Sequence, residues 1–173
     1  MASDFSIFFK QFRENFESTG SIAPSSRALG NALSRFITSS DTPRRILEVG
    51  PGTGAVTRCI LPKLTHADRF VMVELNDQFV ALLHDKLKQD DLYKAHADSI
   101  EIVHNSLQGL SNVEPFDAIV SGLPLNNFQP DVVRGILADY QRLLKPGGTL
   151  SFFEYMFFRG LRSPFPGRMK LVS

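Results

Sequence analysis

The sequence predicts an α/β fold, a mostly parallel sheet with helices on both faces. Three observations carry that expectation. Apolar runs that read as strands alternate with helical patterns along the chain. The first run opens into a loop with glycines at alternate positions, and the second ends in an acidic residue about 20 residues further on, the layout of a nucleotide-type site. Ligands of such sheets sit at the carboxyl ends of the strands, near the switch in strand order.

Taken in order, the segment DFSIFFKQFRENF comes first. Its Phe5, Phe8, Phe9, Phe12 and Phe16 follow the i, i+3, i+4, i+7 rule, so one face of a helix within residues 1–20 carries five rings, with Lys10, Arg13, Glu14 and Glu17 largely on the others. GSIAPSSRAL (20–29) reads as a helix start, with Ser21 as cap and Pro24 in the first turn. Strands are expected over 44–49, 69–75, 100–104, 116–121 and 149–155, and helices over 54–61, 77–88 and 131–144. The last helix has Val132, Val133, Ile136, Leu137, Tyr140, Leu143 and Leu144 at the spacing of a half-buried face, and LKPGG is expected to close it.

A chain of 173 residues, 43% of them hydrophobic, suits one globular domain (1–173) with its core over 44–155. A net charge of +1 gives no field that would make nucleic acid an obligatory partner. One cysteine, Cys59, excludes an internal disulfide and a Cys-rich zinc site, and reads as a small buried residue. His66, His84, His96 and His104 lack ligand spacing, so no metal is expected. No apolar run reaches the roughly 18 residues of a membrane span, and Asp4, Lys10, Arg13 and Glu14 interrupt any signal-peptide core. A cytoplasmic monomer is the expectation.

The strongest motif is ILEVGPGTGAVT (46–57). Its glycines allow a tight turn and bring bare backbone and the N–H groups of the next helix to a ligand. Gly50, Gly52 and Ala55, with Glu74 downstream, also satisfy the dinucleotide fingerprint, so the glycines alone leave the cofactor class open.

ILEVGPGTG with Glu48, then VELN, then LKPGGTL, in that order, resembles the Rossmann-like class I methyltransferases that use S-adenosyl-L-methionine. The resemblance implies that Gly50, Gly52 and Gly54 pass close to the methionine part of the cofactor. It implies that Glu48 orients that loop or the cofactor's amino group, and that Glu74, with Leu75 beside it, binds both ribose hydroxyls. Asn105 and Ser106 would lie near the adenine.

FDAIVSGLPLNNF (116–128) follows the fourth strand. Enzymes that methylate the adenine amine usually carry Asn or Asp and then an aromatic in this loop, to accept from the amine and stack on the flipped base. Here Ser121, Gly122, Leu123, Pro124 and Leu125 stand instead, so the chain is similar to the ribosomal RNA adenine dimethylases only in outline. GSIAPSSRAL, SGLPLNNF and FFEYMFFRGLRSPF together resemble the bacterial phospholipid N-methyltransferases, which methylate phosphatidylethanolamine stepwise. That resemblance implies a flap over the cofactor with Ser25 and Ser26 near its carboxylate, and backbone carbonyls of Ser121, Gly122 and Leu123 around the reacting amine. Tyr155 is the candidate for the head group or its proton, and Arg159 and Arg162 for the phosphate. The phenylalanine face and the basic, aromatic tail suit an anionic membrane surface, giving a peripheral location on its inner face. Two alternatives stand beside this: an RNA adenine N-methyltransferase, or a cofactor-binding protein with little activity, since only 15 residues follow Phe158 where two further strands are usual.

Overall fold

The computed structural model describes residues 24–153, with side chains from Arg27 onward. The phenylalanine face, Tyr155, Arg159, Arg162 and the expected C-terminal shortening lie outside the described residues. The elements are α1 (Pro24–Ser34), β1 (Arg45–Val49), α2 (Thr57–Ile60), β2 (Arg69–Glu74), α3 (Asp77–Gln89), α4 (Asp91–Lys94), β3 (Ile100–His104), β4 (Phe116–Ser121), α5 (Pro130–Leu143) and β5 (Leu144–Ser151).

All pairings among these strands are parallel, in the order β3-β2-β1-β4-β5. The order reverses between β1 and β4, which places the switch point, and hence the expected ligand crevice, at their carboxyl ends. Alternate residues of each strand serve opposite faces. Leu47, Val71, Val73 and Ile119 join Ile136, Tyr140 and Leu143 of α5 on one face. Ile46, Phe70, Met72 and Val120 join Leu33, Ile60, Leu83 and Tyr93 on the other. Burial on both faces explains why the central strands read as continuous apolar runs.

Local chemistry sets the ends of the elements. The Asn76 side chain caps α3 by accepting from Gln78 N (2.9 Å) and Phe79 N (3.1 Å), and Asp90 Oδ1 caps α4 by accepting from Leu92 N (3.0 Å). Pro130 starts α5, where a missing N–H costs nothing. Arg44 clamps the amino ends of β1 and β2 with a fork onto buried Asp68, Nε to Oδ1 at 3.1 Å and NH2 to Oδ2 at 2.7 Å.

Two expectations need correction. LKPGG does not cap a helix: α5 ends at Leu143, and Leu144 already pairs with Phe116. The next pairing is Ala118 with Thr149, so Lys145, Pro146, Gly147 and Gly148 form a wide bulge within β5, where Gly147 at φ 79° makes the turn. The helix expected over 54–61 is only α2, followed by a 3₁₀ turn over Leu61–Lys63. Gly54 at φ 80° cannot begin a right-handed helix, and Pro62 favours the tighter turn.

Candidate functional site

The crevice opens where the topology places it. Val49, Gly50, Val73, Glu74, Leu75, Asn105, Ser106, Leu107, Gln108, Leu123 and Ile136 line it. Six expected residues thus meet there: Gly50, Glu74, Leu75, Asn105, Ser106 and Leu123.

The glycine loop forms its floor. Gly50, Gly52 and Gly54 hold φ of 65°, 56° and 80°, the left-handed region that favours glycine. Gly50 N donates to Val73 O at 3.0 Å, so the loop leaves β1 pinned to β2. Glu74 is buried at the end of β2 and accepts from Gly52 N (3.0 Å), Leu75 N (2.8 Å) and Asn76 N (2.9 Å). Burial raises its carboxyl above the ordinary carboxylate value, against the pull of these three N–H groups and His104. Three of roughly four lone-pair sites are therefore taken by backbone, which leaves room for one ribose hydroxyl in this arrangement.

Glu48 pairs with Met72 in the sheet and faces Thr57 of α2. Its Oε2 accepts from Thr57 Oγ1 at 2.7 Å, while Oε1 is buried without a hydrogen-bond partner. Burial pushes this carboxyl up to about 8, with Thr57 lowering it and Glu74 adding repulsion. Glu48 thus ties the strand to the start of α2, the loop-orienting half of its expected role.

The loop after β4 covers the floor. Gly122 N donates to Val49 O at 2.9 Å, and a Cβ on Gly122 would stand 2.8 Å from Gly50 O. Leu123 packs on the other side of Gly50, where an added Cβ would meet its Cδ2 at 2.8 Å. Leu125 is buried too. The Ser121 side chain is engaged inside the protein: Oγ is buried, bonds Tyr140 Oη at 2.6 Å and accepts from Leu123 N at 3.2 Å, so it shapes the loop whose backbone carbonyls are the expected contacts.

At Gly54 the Tyr93 hydroxyl occupies the place of an added Cβ. Ser25 and Ser26 fall in the first turn of α1, and their side chains lie outside the described residues. Further along α1, Gly30 approaches Ala55 O and Cys59 Sγ, so this helix runs beside the glycine loop. Cys59 is half-buried rather than buried. Among the described residues, no three of His, Cys, Asp and Glu converge as a metal site.

Sequence reading missed Thr57, Tyr93, Lys86, Gln108 and the bond to Tyr140. Thr57 was inside the quoted motif; Tyr93 lay in a charged run, QDDLYKAH, with no pattern to mark it. The arrangement offers left-handed glycines that bare the backbone, a carboxylate at a strand end, and an Asn-Ser edge. That set fits an adenosyl group with an amino-acid tail, and the orphaned Glu48 Oε1 leaves one polar atom without a partner beneath the loop.

Comparison with known proteins agrees. The chain is 27% identical over 154 residues to an ornithine lipid N-methyltransferase from Singulisphaera acidiphila, covering 86% of this chain and 76% of that one. It is 29% identical over 99 residues to ribosomal RNA small subunit methyltransferase A from Mycoplasmoides gallisepticum, covering 57% of this chain and 35% of that one. Among solved structures it is similar to the O-methyltransferase TomG from Streptomyces achromogenes in complex with SAM, with TM-score 0.52 and 23% identity over 74% of this chain. The chain spans about half the length of that structure, 54%. Residues 46–148 match the family model described as "Methyltransferase domain", and this chain belongs to that family, with a Rossmann-like class I fold.

Proposed function

We propose that this protein is an N-methyltransferase acting on the amine of phosphatidylethanolamine or its methylated derivatives at a membrane surface. The observation that carries the reading is the loop after β4. It presents Gly122 against the glycine loop and buries Leu123 and Leu125, so the positions where a base reader carries its side-chain acceptor and its ring hold a glycine and a leucine instead. The similarity to a lipid N-methyltransferase over most of the chain supports the same substrate class.

The cofactor supplies an electrophilic methyl group on a sulfonium, which an amine displaces in line. The chain's share is then alignment and exclusion of water. Gly50 and Leu123 bring the two loops into contact, which fixes the distance between donor and acceptor subsites. The amine must be neutral to attack. Ser121 Oγ is committed to Tyr140, so the loop's own hydroxyl is no base, and the proton goes to water, with Tyr155 the candidate to contact the head group. In this reading Arg159 and Arg162 take the lipid phosphate, and the phenylalanine face of residues 1–20 lies in the interface.

A second reading, methylation of an RNA adenine, is favoured by the similarity to the ribosomal RNA enzyme. The test uses methyl-labelled cofactor with vesicles of phosphatidylethanolamine and an anionic lipid. Label should enter the aminolipid, with vesicles of an ornithine-type aminolipid as a parallel arm. No label in any aminolipid, at cofactor saturation, defeats the proposal.

A further inference from the structure

Three successive residues of the glycine loop are each held by a side chain from one segment, residues 74–93. Glu74 accepts from Gly52 N, Lys86 Nζ donates to Thr53 O at 2.6 Å, and Tyr93 Oη donates to Gly54 O at 3.4 Å. The first is the expected cofactor ligand; the other two never face the crevice. Lys86 sits in the last turn of α3, half-buried, with its ammonium 5.7 Å from the centre of the Tyr93 ring. Tyr93 is fully buried in α4. Its hydroxyl occupies the space that a side chain at Gly54 would fill, so the bare glycine makes room for a buried donor that needs a partner. Burial pushes this phenol up to about 12, with the Thr57 hydroxyl acting against it, so it remains a donor across the working range. An Arg58–Asp90 ion pair ties α2 to the cap of α4, closing the same frame.

The loop needs such external ties. Glycines in the left-handed region are individually free to leave it, and a loop that must be ordered on binding loses affinity to that ordering.

We propose that Tyr93 and Lys86 are positioning residues for the cofactor loop, acting through the carbonyls of Gly54 and Thr53. The inference rests on the reading that this chain binds S-adenosyl-L-methionine. Its test joins two measurements on the whole chain. Calorimetric binding of S-adenosylhomocysteine should weaken roughly three- to tenfold in Tyr93→Phe and in Lys86→Met, the range that one lost hydrogen bond gives, and Lys86→Arg should restore most of it. Hydrogen–deuterium exchange without ligand should speed up over residues 52–58 in both variants while β1 and β4 keep wild-type protection. A tyrosine that merely filled the core would not give that local pattern, since phenylalanine fills the same space. Wild-type exchange over 52–58 in both variants, or affinities within twofold of a binding wild type, overturns the proposal. A wild type that does not bind S-adenosylhomocysteine defeats the cofactor reading, and the exchange data still decide on the brace. If Tyr93→Phe fails to fold, the Lys86 pair carries the test, because its side chain ends at the surface.

Discussion

Replacing Glu48 with glutamine should remove a pH dependence of stability that burial imposes. The carboxyl's midpoint moves from 4.5 to about 8 in the folded chain. At 1.36 kcal/mol per pH unit, that interval corresponds to roughly 5 kcal/mol between the low-pH and high-pH limits. The sign follows from proton counting. Between about 4.5 and 8 the folded state holds a proton on Glu48 that the unfolded state has lost, so its contribution is complete at low pH and fades as pH rises through 8. Glutamine keeps an acceptor for Thr57 Oγ1 and resembles the protonated acid in shape. Urea unfolding of both proteins at pH 5, 6, 7 and 8 reads the effect, with the repulsion between Glu48 and Glu74 included in it. The variant's advantage should be small at pH 5 and grow by up to about 1.4 kcal/mol per pH unit toward pH 8. A difference that stays flat across this range would refute the assignment of Glu48 as a buried, proton-holding acid.

Other perturbations give equally direct readings. Gly122→Ala would set a Cβ 2.8 Å from Gly50 O; the strain of about 1–3 kcal/mol should appear mainly as weaker S-adenosylhomocysteine binding, and unchanged affinity would mean that the two loops move independently. Gly135 lies in α5, and a Cβ added there would meet nothing within 4 Å, so Gly135→Ala should raise stability by about 0.5–1 kcal/mol in urea melts without changing cofactor affinity. Arg44→Ala leaves Asp68 buried with only the backbone N–H groups of residues 44 and 65, and should cost about 3 kcal/mol, seen as a lower urea midpoint.

The parts of the fold legible in the sequence are those that burial on two faces dictates. β4, paired on both sides, begins and ends where its apolar run does, because most of its residues are buried whichever face they serve; β3 keeps its expected bounds as an edge strand whose residues are half-buried or exposed. Where backbone conformation decides, the pattern misleads. Gly54 delays the helix after the loop, and the four residues from Lys145 to Gly148 sit in a strand bulge that reads locally as a helix stop. The site divides in the same way. Gly50 and Glu74 follow from strand ends plus spacing, Leu75, Asn105 and Ser106 from the resemblance to the class I methyltransferases, and all five line the crevice. Ser121 and Gly54 have the right addresses, yet their roles depend on partners 19 and 39 residues away, Tyr140 and Tyr93. No local periodicity announces such a bond.

The central claim is that the loop of Ser121, Gly122 and Leu123 seats an aliphatic lipid amine beside the methyl donor. Incubation of the protein with methyl-labelled S-adenosyl-L-methionine and a mixed extract of total lipid and total RNA tests it most directly. The account predicts label in the aminolipid fraction, lost when Gly122 is replaced by a bulky residue; label confined to RNA adenine would contradict it.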